Sequence, residues 1–105
     1  MRKNICLAID SRKVISFYYR GGIRFVEPFC YGIHKSFGNE VLRGYQVGGF
    51  SEFGEPFGWK LYSADEISKL VITNDNFRDD RDYYNPNEPM MKKIICRIEV
   101  GKASK

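Results

Sequence analysis

Five side chains in this sequence could together grip an anionic ligand: Tyr19, Arg24, Arg43, Tyr45 and Lys60. A guanidinium can hold phosphate bidentately, an ammonium acts as a point charge, and a tyrosine can hydrogen-bond or stack on a base. That combination suits a nucleotide or a single-stranded nucleic acid. A plainer account uses the same residues: Tyr19 and Tyr45 form the wall of a barrel, and Arg24, Arg43 and Lys60 are solvated charges whose stems lie on the sheet.

Other chemistries find less support. The stretch from Gly48 to Gly58 is glycine-rich, but it lacks the Gly-Lys-Ser/Thr ending of a phosphate loop, and Glu52 and Glu55 would repel phosphate. Its three phenylalanines, Phe50, Phe53 and Phe57, fit a lid, an oligomer contact or a plain hairpin excursion. His34, the single histidine, follows Cys30 by four residues, a separation of about 13 Å along a strand, too far for a thiolate–imidazolium pair. Asp79, Asp80 and Asp82 alternate with Arg78 and Arg81 and lack the ligand spacing of a calcium loop. No nucleophile, base and oxyanion hole assemble, so the expectation is a protein without catalysis, cofactor or metal.

The elements that must position these residues are mostly strands. Asn4 can cap a helix from Ile5 to about Lys13, with Ile5, Ala8 and Ile9 on one face. Val14 to Arg20 alternates as a strand, and Gly21-Gly22 turns it into a return strand from Ile23 to about Phe29. Pro28 marks an edge or a bend, because it has no donor for a ladder. Further strands are expected at Cys30 to Lys35, Glu40 to Val47, Trp59 to Tyr62, Val71 to Thr73 and Lys93 to Val100. Ser63 is placed to cap a helical turn through Ile67, and Arg78 to Pro89 reads as an irregular surface excursion.

With 105 residues the chain has room for one core. Seven tyrosines and eight phenylalanines can fill a small barrel. The net charge of +4 is compatible with a polyanionic partner, although much of it sits near the termini, where solubility is the blander role. Three cysteines, odd in number and far apart, predict buried free thiols in a reducing compartment rather than a disulfide framework. No signal peptide and no membrane-spanning run is visible, which leads to an expectation of the cytoplasm.

The order of three motifs resembles the WYL domain: Tyr19 ending a strand, then Arg24-Phe25-Val26-Glu27-Pro28, then Lys60-Leu61-Tyr62-Ser63-Ala64-Asp65-Glu66-Ile67. The similarity runs from about Ile5 to Phe77. At the place of the naming Trp-Tyr-Leu triplet stands Glu40-Val41-Leu42, and Glu66 replaces a frequent arginine. The resemblance implies a short N-terminal α-helix followed by a small five- to six-stranded Sm-like barrel of the Src-homology-3 type. It also implies a non-catalytic sensor of nucleotide or nucleic acid, as found in bacterial transcription regulators and in accessory proteins of defence systems. The expected organisation is one mostly β domain over residues 1–100 and a disordered tail over 101–105. The alternative is a protein-interaction or oligomerisation module, with a protein partner or a second copy in place of nucleic acid.

Overall fold

A computed structural model describes residues 1–99. The chain runs α1 (Arg2–Ser11), β1 (Lys13–Tyr19), β2 (Gly22–His34), β3 (Glu40–Gly49), β4 (Gly58–Ser63), a 3-10 turn (Ala64–Glu66), β5 (Ser68–Asn76) and β6 (Met91–Arg97). The mostly β expectation with one leading helix is met. The expected tail, and Val100 at the end of the last strand, lie outside the described residues.

Ile5, Ala8 and Ile9 are fully buried, so the apolar face read from helical spacing is the face α1 lays on the sheet. The helix begins earlier than expected: Met1 occupies the N-cap and Asn4 lies inside the first turn. Arg12 ends it in the left-handed region, its N–H bonded back to the Ala8 and Ile9 carbonyls. Similarly, Ser63 stands at the N-cap of the 3-10 turn but makes no capping bond to the backbone.

β1 and β2 form an antiparallel hairpin, with Tyr19 opposite Gly22 and Phe17 opposite Arg24. The two loop residues are therefore Arg20 and Gly21, one residue earlier than the expected Gly21-Gly22, and both are at positive φ (43° and 102°), as a two-residue hairpin turn requires. β2 is one long strand where two were expected. Its ladder to β3 is irregular between Pro28 and Cys30. Over the same stretch its other edge changes partner, from β1 (last pair at Val26) to β6 (first pair at Cys30). Pro28 thus sits where regular pairing is already interrupted.

The strand order is β4-β3-β2-β1-β5, with β6 alongside β2. The expected barrel is not closed: among the described residues the outer strands β4 and β5 do not pair with each other. β5 meets β1 through a regular stretch, Ile15–Ile72 and Ser16–Val71, between two irregularities. What joins the ends of β4 and β1 is a side chain, the Tyr19 hydroxyl accepting from the Ser63 N–H at 2.9 Å.

The core between α1 and the sheet is built on Ile15, Phe17, Val26, Phe29, Tyr31, Leu42 and Tyr62. A smaller cluster of Cys30, Val41 and Met91 packs separately. Cys6 on α1 and Cys96 on β6 form a disulfide, which corrects the expectation of three free thiols; only Cys30 is unbonded. Burial pushes the Cys30 thiol up to about 12, so it packs as a small apolar group and not as a nucleophile. No helix of the described residues is long and apolar enough to cross a membrane.

The segment after β5 is irregular and mostly exposed, as expected, but specific contacts tie it to the sheet. Arg81 grips Glu27 through both carboxylate oxygens (3.0 and 2.9 Å), and the Tyr84 hydroxyl donates to the Ile98 carbonyl at 2.8 Å. Trp59 Nε1 donates to the Asp82 carbonyl at 2.9 Å, and Arg43 pairs with Glu88. These contacts hold the segment down across β2, β3 and β4.

Candidate functional site

The hairpin register brings Tyr19 and Arg24 together on the core-facing side of the sheet. Arg24 is only 5% exposed. Its Nη2 donates to the Tyr19 carbonyl at 3.1 Å, and its guanidinium lies 5.2 Å from the Tyr19 ring centroid and 5.4 Å from that of Phe50. Its Nε is buried without a hydrogen-bond partner, and Arg24 forms no ion pair with a described carboxylate. A buried cation lacking an acidic partner is costly, because desolvation is not repaid by local attraction.

Phe50 covers this arginine for reasons that are local. Gln46, fully buried, donates from Nε2 to the Phe50 carbonyl at 2.8 Å and accepts from the Tyr62 hydroxyl at 2.7 Å. Gly22 makes room: a Cβ there would overlap the Phe50 side chain. Burial holds the Tyr62 phenol above its ordinary value, an effect that the neighbouring Arg24 charge opposes. Gln46 was not among the expected site residues; a polar residue in the inward register of Leu42 was the available signal.

On the hydroxyl side of Tyr19 opens a pocket of about 400 Å³ lined by Tyr19, Arg20, His34, Asn39, Ser63 and Glu66, among others. Asn39 Nδ2 donates to Ser63 Oγ at 2.8 Å, and Ser63 Oγ donates to Asp65 Oδ1 at 2.6 Å. Asn39 Oδ1 is buried and has no partner. His34 is 7% exposed; its Nδ1 accepts from the Ser36 and Phe37 N–H groups at 3.0 and 3.2 Å. At the rim, Arg20 forms a bidentate pair with Glu66 (2.7 and 2.8 Å), which lowers the Glu66 carboxyl below the usual carboxylate range.

The other three expected residues are not gathered here. Arg43 is bidentate to Glu88 (2.8 and 3.1 Å), and Tyr45 lies under the Arg81 guanidinium, 3.8 Å from its ring centroid. Tyr45 lines a groove of about 780 Å³ and Arg43 a neighbouring one of about 250 Å³, both against the segment that follows β5. Lys60 donates to the Glu55 carbonyl at 2.7 Å. In the larger groove Arg81 is matched by Glu27 and Arg78 by Asp80, so no cation is left over for phosphate.

The arrangement around Tyr19 can recognise a ligand by charge and hydrogen bonds. Among the described residues no group of three His, Cys, Asp or Glu side chains is placed to hold a metal ion. No family model, curated protein or solved structure matches the chain.

Proposed function

We propose that this domain is a non-catalytic sensor that binds a nucleotide or single-stranded nucleic acid at the Tyr19 end of its sheet. The observation that carries the reading is the pair of buried polar atoms without partners, Arg24 Nε and Asn39 Oδ1. Both flank Tyr19: one belongs to the guanidinium over its ring, the other to the amide bonded to Ser63, which in turn holds its hydroxyl. An anionic ligand would match the Arg24 charge, with Phe50, itself 41% exposed, moving aside to admit it. The resemblance to WYL domains supports the same reading, and so does the net charge of +4.

Phosphate contact in this reading rests on Arg24. Arg43 is matched by Glu88 and Tyr45 is covered by Arg81, while Lys60 has no acidic partner among the described residues but does not line the Tyr19 pocket. The proposed setting is the cytoplasm, where glutathione would expose Cys6–Cys96 to reduction. Titrating a labelled mixed-sequence single strand with the protein at low and near-physiological salt tests the reading. Salt-sensitive binding supports it; no binding of the strand at low salt removes the nucleic-acid half of the reading and leaves only a free nucleotide.

A second reading has its own observation. Tyr18, Ile23, Phe25 and Val71 are each 40–53% exposed, and the pairs Tyr18–Ile23, Ser16–Phe25 and Ser16–Val71 place them side by side on the solvent face of β1, β2 and β5. Such a strip suits protein association. Sedimentation of the wild type and of Phe25→Asp checks it: a concentration-dependent dimer that the substitution dissolves favours this reading, and a monomer up to high concentration removes self-association.

A further inference from the structure

We propose that the pocket between His34, Asn39 and Tyr19 takes a nucleobase, reading its edge while the phosphate goes to Arg24. This rests on the nucleotide reading above and assigns the part of the ligand that the arginine does not explain. Three polar atoms at the pocket are unused and have fixed roles. His34 Nδ1 accepts from the Ser36 and Phe37 N–H groups, so in the neutral ring the proton resides on Nε2, which is left to donate. The Tyr19 hydroxyl accepts from the Ser63 N–H and makes no other hydrogen bond among the described residues, which leaves its own proton to donate.

Asn39 Oδ1 is the acceptor, and its direction is set by the network. Ser63 Oγ gives its single proton to Asp65, so it can only accept from Asn39, and the amide must present Nδ2 to it. The carbonyl oxygen is therefore the atom left buried and unpaired. Two donors and one acceptor call for a ligand edge that carries both an acceptor and an N–H. Nucleobases have such edges, and a sugar phosphate lacks the planar N–H.

The charges argue against phosphate in this pocket. Arg20 is matched by Glu66 and approached by Glu52, and an orphaned carbonyl oxygen would repel an anion. Phe37, Val41 and Leu61 supply apolar surface for the faces of a ring, with Phe37 83% exposed and stacked on His34 at 4.8 Å. A volume of about 400 Å³ is within the range of small-molecule sites.

His34 is the single histidine, so its imidazole protons give one set of NMR signals that report on this pocket alone. The experiment titrates the protein with the common nucleoside 5′-monophosphates and with ribose 5-phosphate, and measures single-strand binding by anisotropy on the same sample. At least one mononucleotide should shift the His34 signals saturably and ribose 5-phosphate should not. Asn39→Leu should weaken that response at least tenfold while retaining the wild-type His34 shifts when free. If the strand binds but no mononucleotide moves His34, or ribose 5-phosphate moves it as much, the base pocket is wrong and the functional reading stands. If neither strand nor nucleotide binds, both fall.

Discussion

The Arg24 guanidinium lies 5.2 Å from the centre of the Tyr19 ring and donates to the Tyr19 carbonyl, across the hairpin whose turn lies between them. The contact uses the face of the ring and leaves the hydroxyl to Ser63 at the end of β4. Tyr19 therefore joins a buried cation on one side to a polar pocket on the other. The same side chain also tethers two strand ends that no ladder connects.

Arg24→Met separates stability from binding. The substitution removes a buried charge that has no acidic partner and keeps much of the apolar volume. Replacing a buried ion pair by apolar side chains is often neutral or stabilising by about 1–4 kcal/mol, and an unpaired buried cation has less attraction to lose. The urea midpoint of Arg24→Met should equal or exceed that of the wild type. A loss of several kcal/mol would mean that Arg24 is a structural residue whose hydrogen bonds hold the hairpin.

Reducing Cys6–Cys96 should weaken the fold without abolishing the sheet. The bond joins residues 90 apart, for which the chain-entropy account gives about 4–5 kcal/mol. Urea curves with and without dithiothreitol check this, together with the intact mass, which should rise by about two hydrogens on reduction. Superimposable curves would show that the fold does not depend on the tether, as would be needed for unimpaired work in a reducing compartment.

Glu88 should contribute an acid-sensitive term. Burial would raise its pKa, but hydrogen bonds from Arg43 and the Met90 N–H outweigh that and leave it lowered. A carboxylate depressed in the folded state stabilises fully above its unfolded value of about 4.3, and the contribution fades as pH falls through the folded value. Glu88→Gln should cost on the order of 2 kcal/mol at neutral pH, and its deficit against wild type should shrink toward pH 3. A deficit that persists unchanged in acid would locate the loss in packing.

Gln46→Leu should release Phe50 from Arg24. The substitution removes the bond to the Phe50 carbonyl and leaves the buried Tyr62 hydroxyl without its acceptor, at a cost of about 1–3 kcal/mol. Hydrogen exchange of the Phe50 amide, which donates to the Ile23 carbonyl, should accelerate more than that of amides in the β1–β2 hairpin. Uniform acceleration across both would indicate general destabilisation.

The parts of the fold written in local pattern were legible in the sequence. The buried face of α1 follows from the spacing of Ile5, Ala8 and Ile9, and the meeting of Tyr19 with Arg24 follows from a short hairpin turn. Features set by distant partners were not. Arg43 reads as a free cation until Glu88, 45 residues away, is seen beside it, and Cys6 reads as a free thiol until the last strand brings up Cys96. Closure of the sheet into a barrel depends on whether two edge strands meet, which alternation within each strand cannot decide. Gln46 was passed over because a polar residue in a strand looks solvated until its face is known, and Asn39 because a polar residue in the turn before β3 looks solvated too.

The most direct test of the central claim is the affinity of a fluorescein-labelled single strand for wild type, Arg24→Met and Lys60→Ala across a range of salt concentrations. The account predicts salt-dependent binding to wild type, a loss of at least tenfold in Arg24→Met with a shallower salt slope, and near wild-type binding in Lys60→Ala, whose ammonium is bonded to the Glu55 carbonyl. Equal affinity of wild type and Arg24→Met at every salt concentration would contradict it.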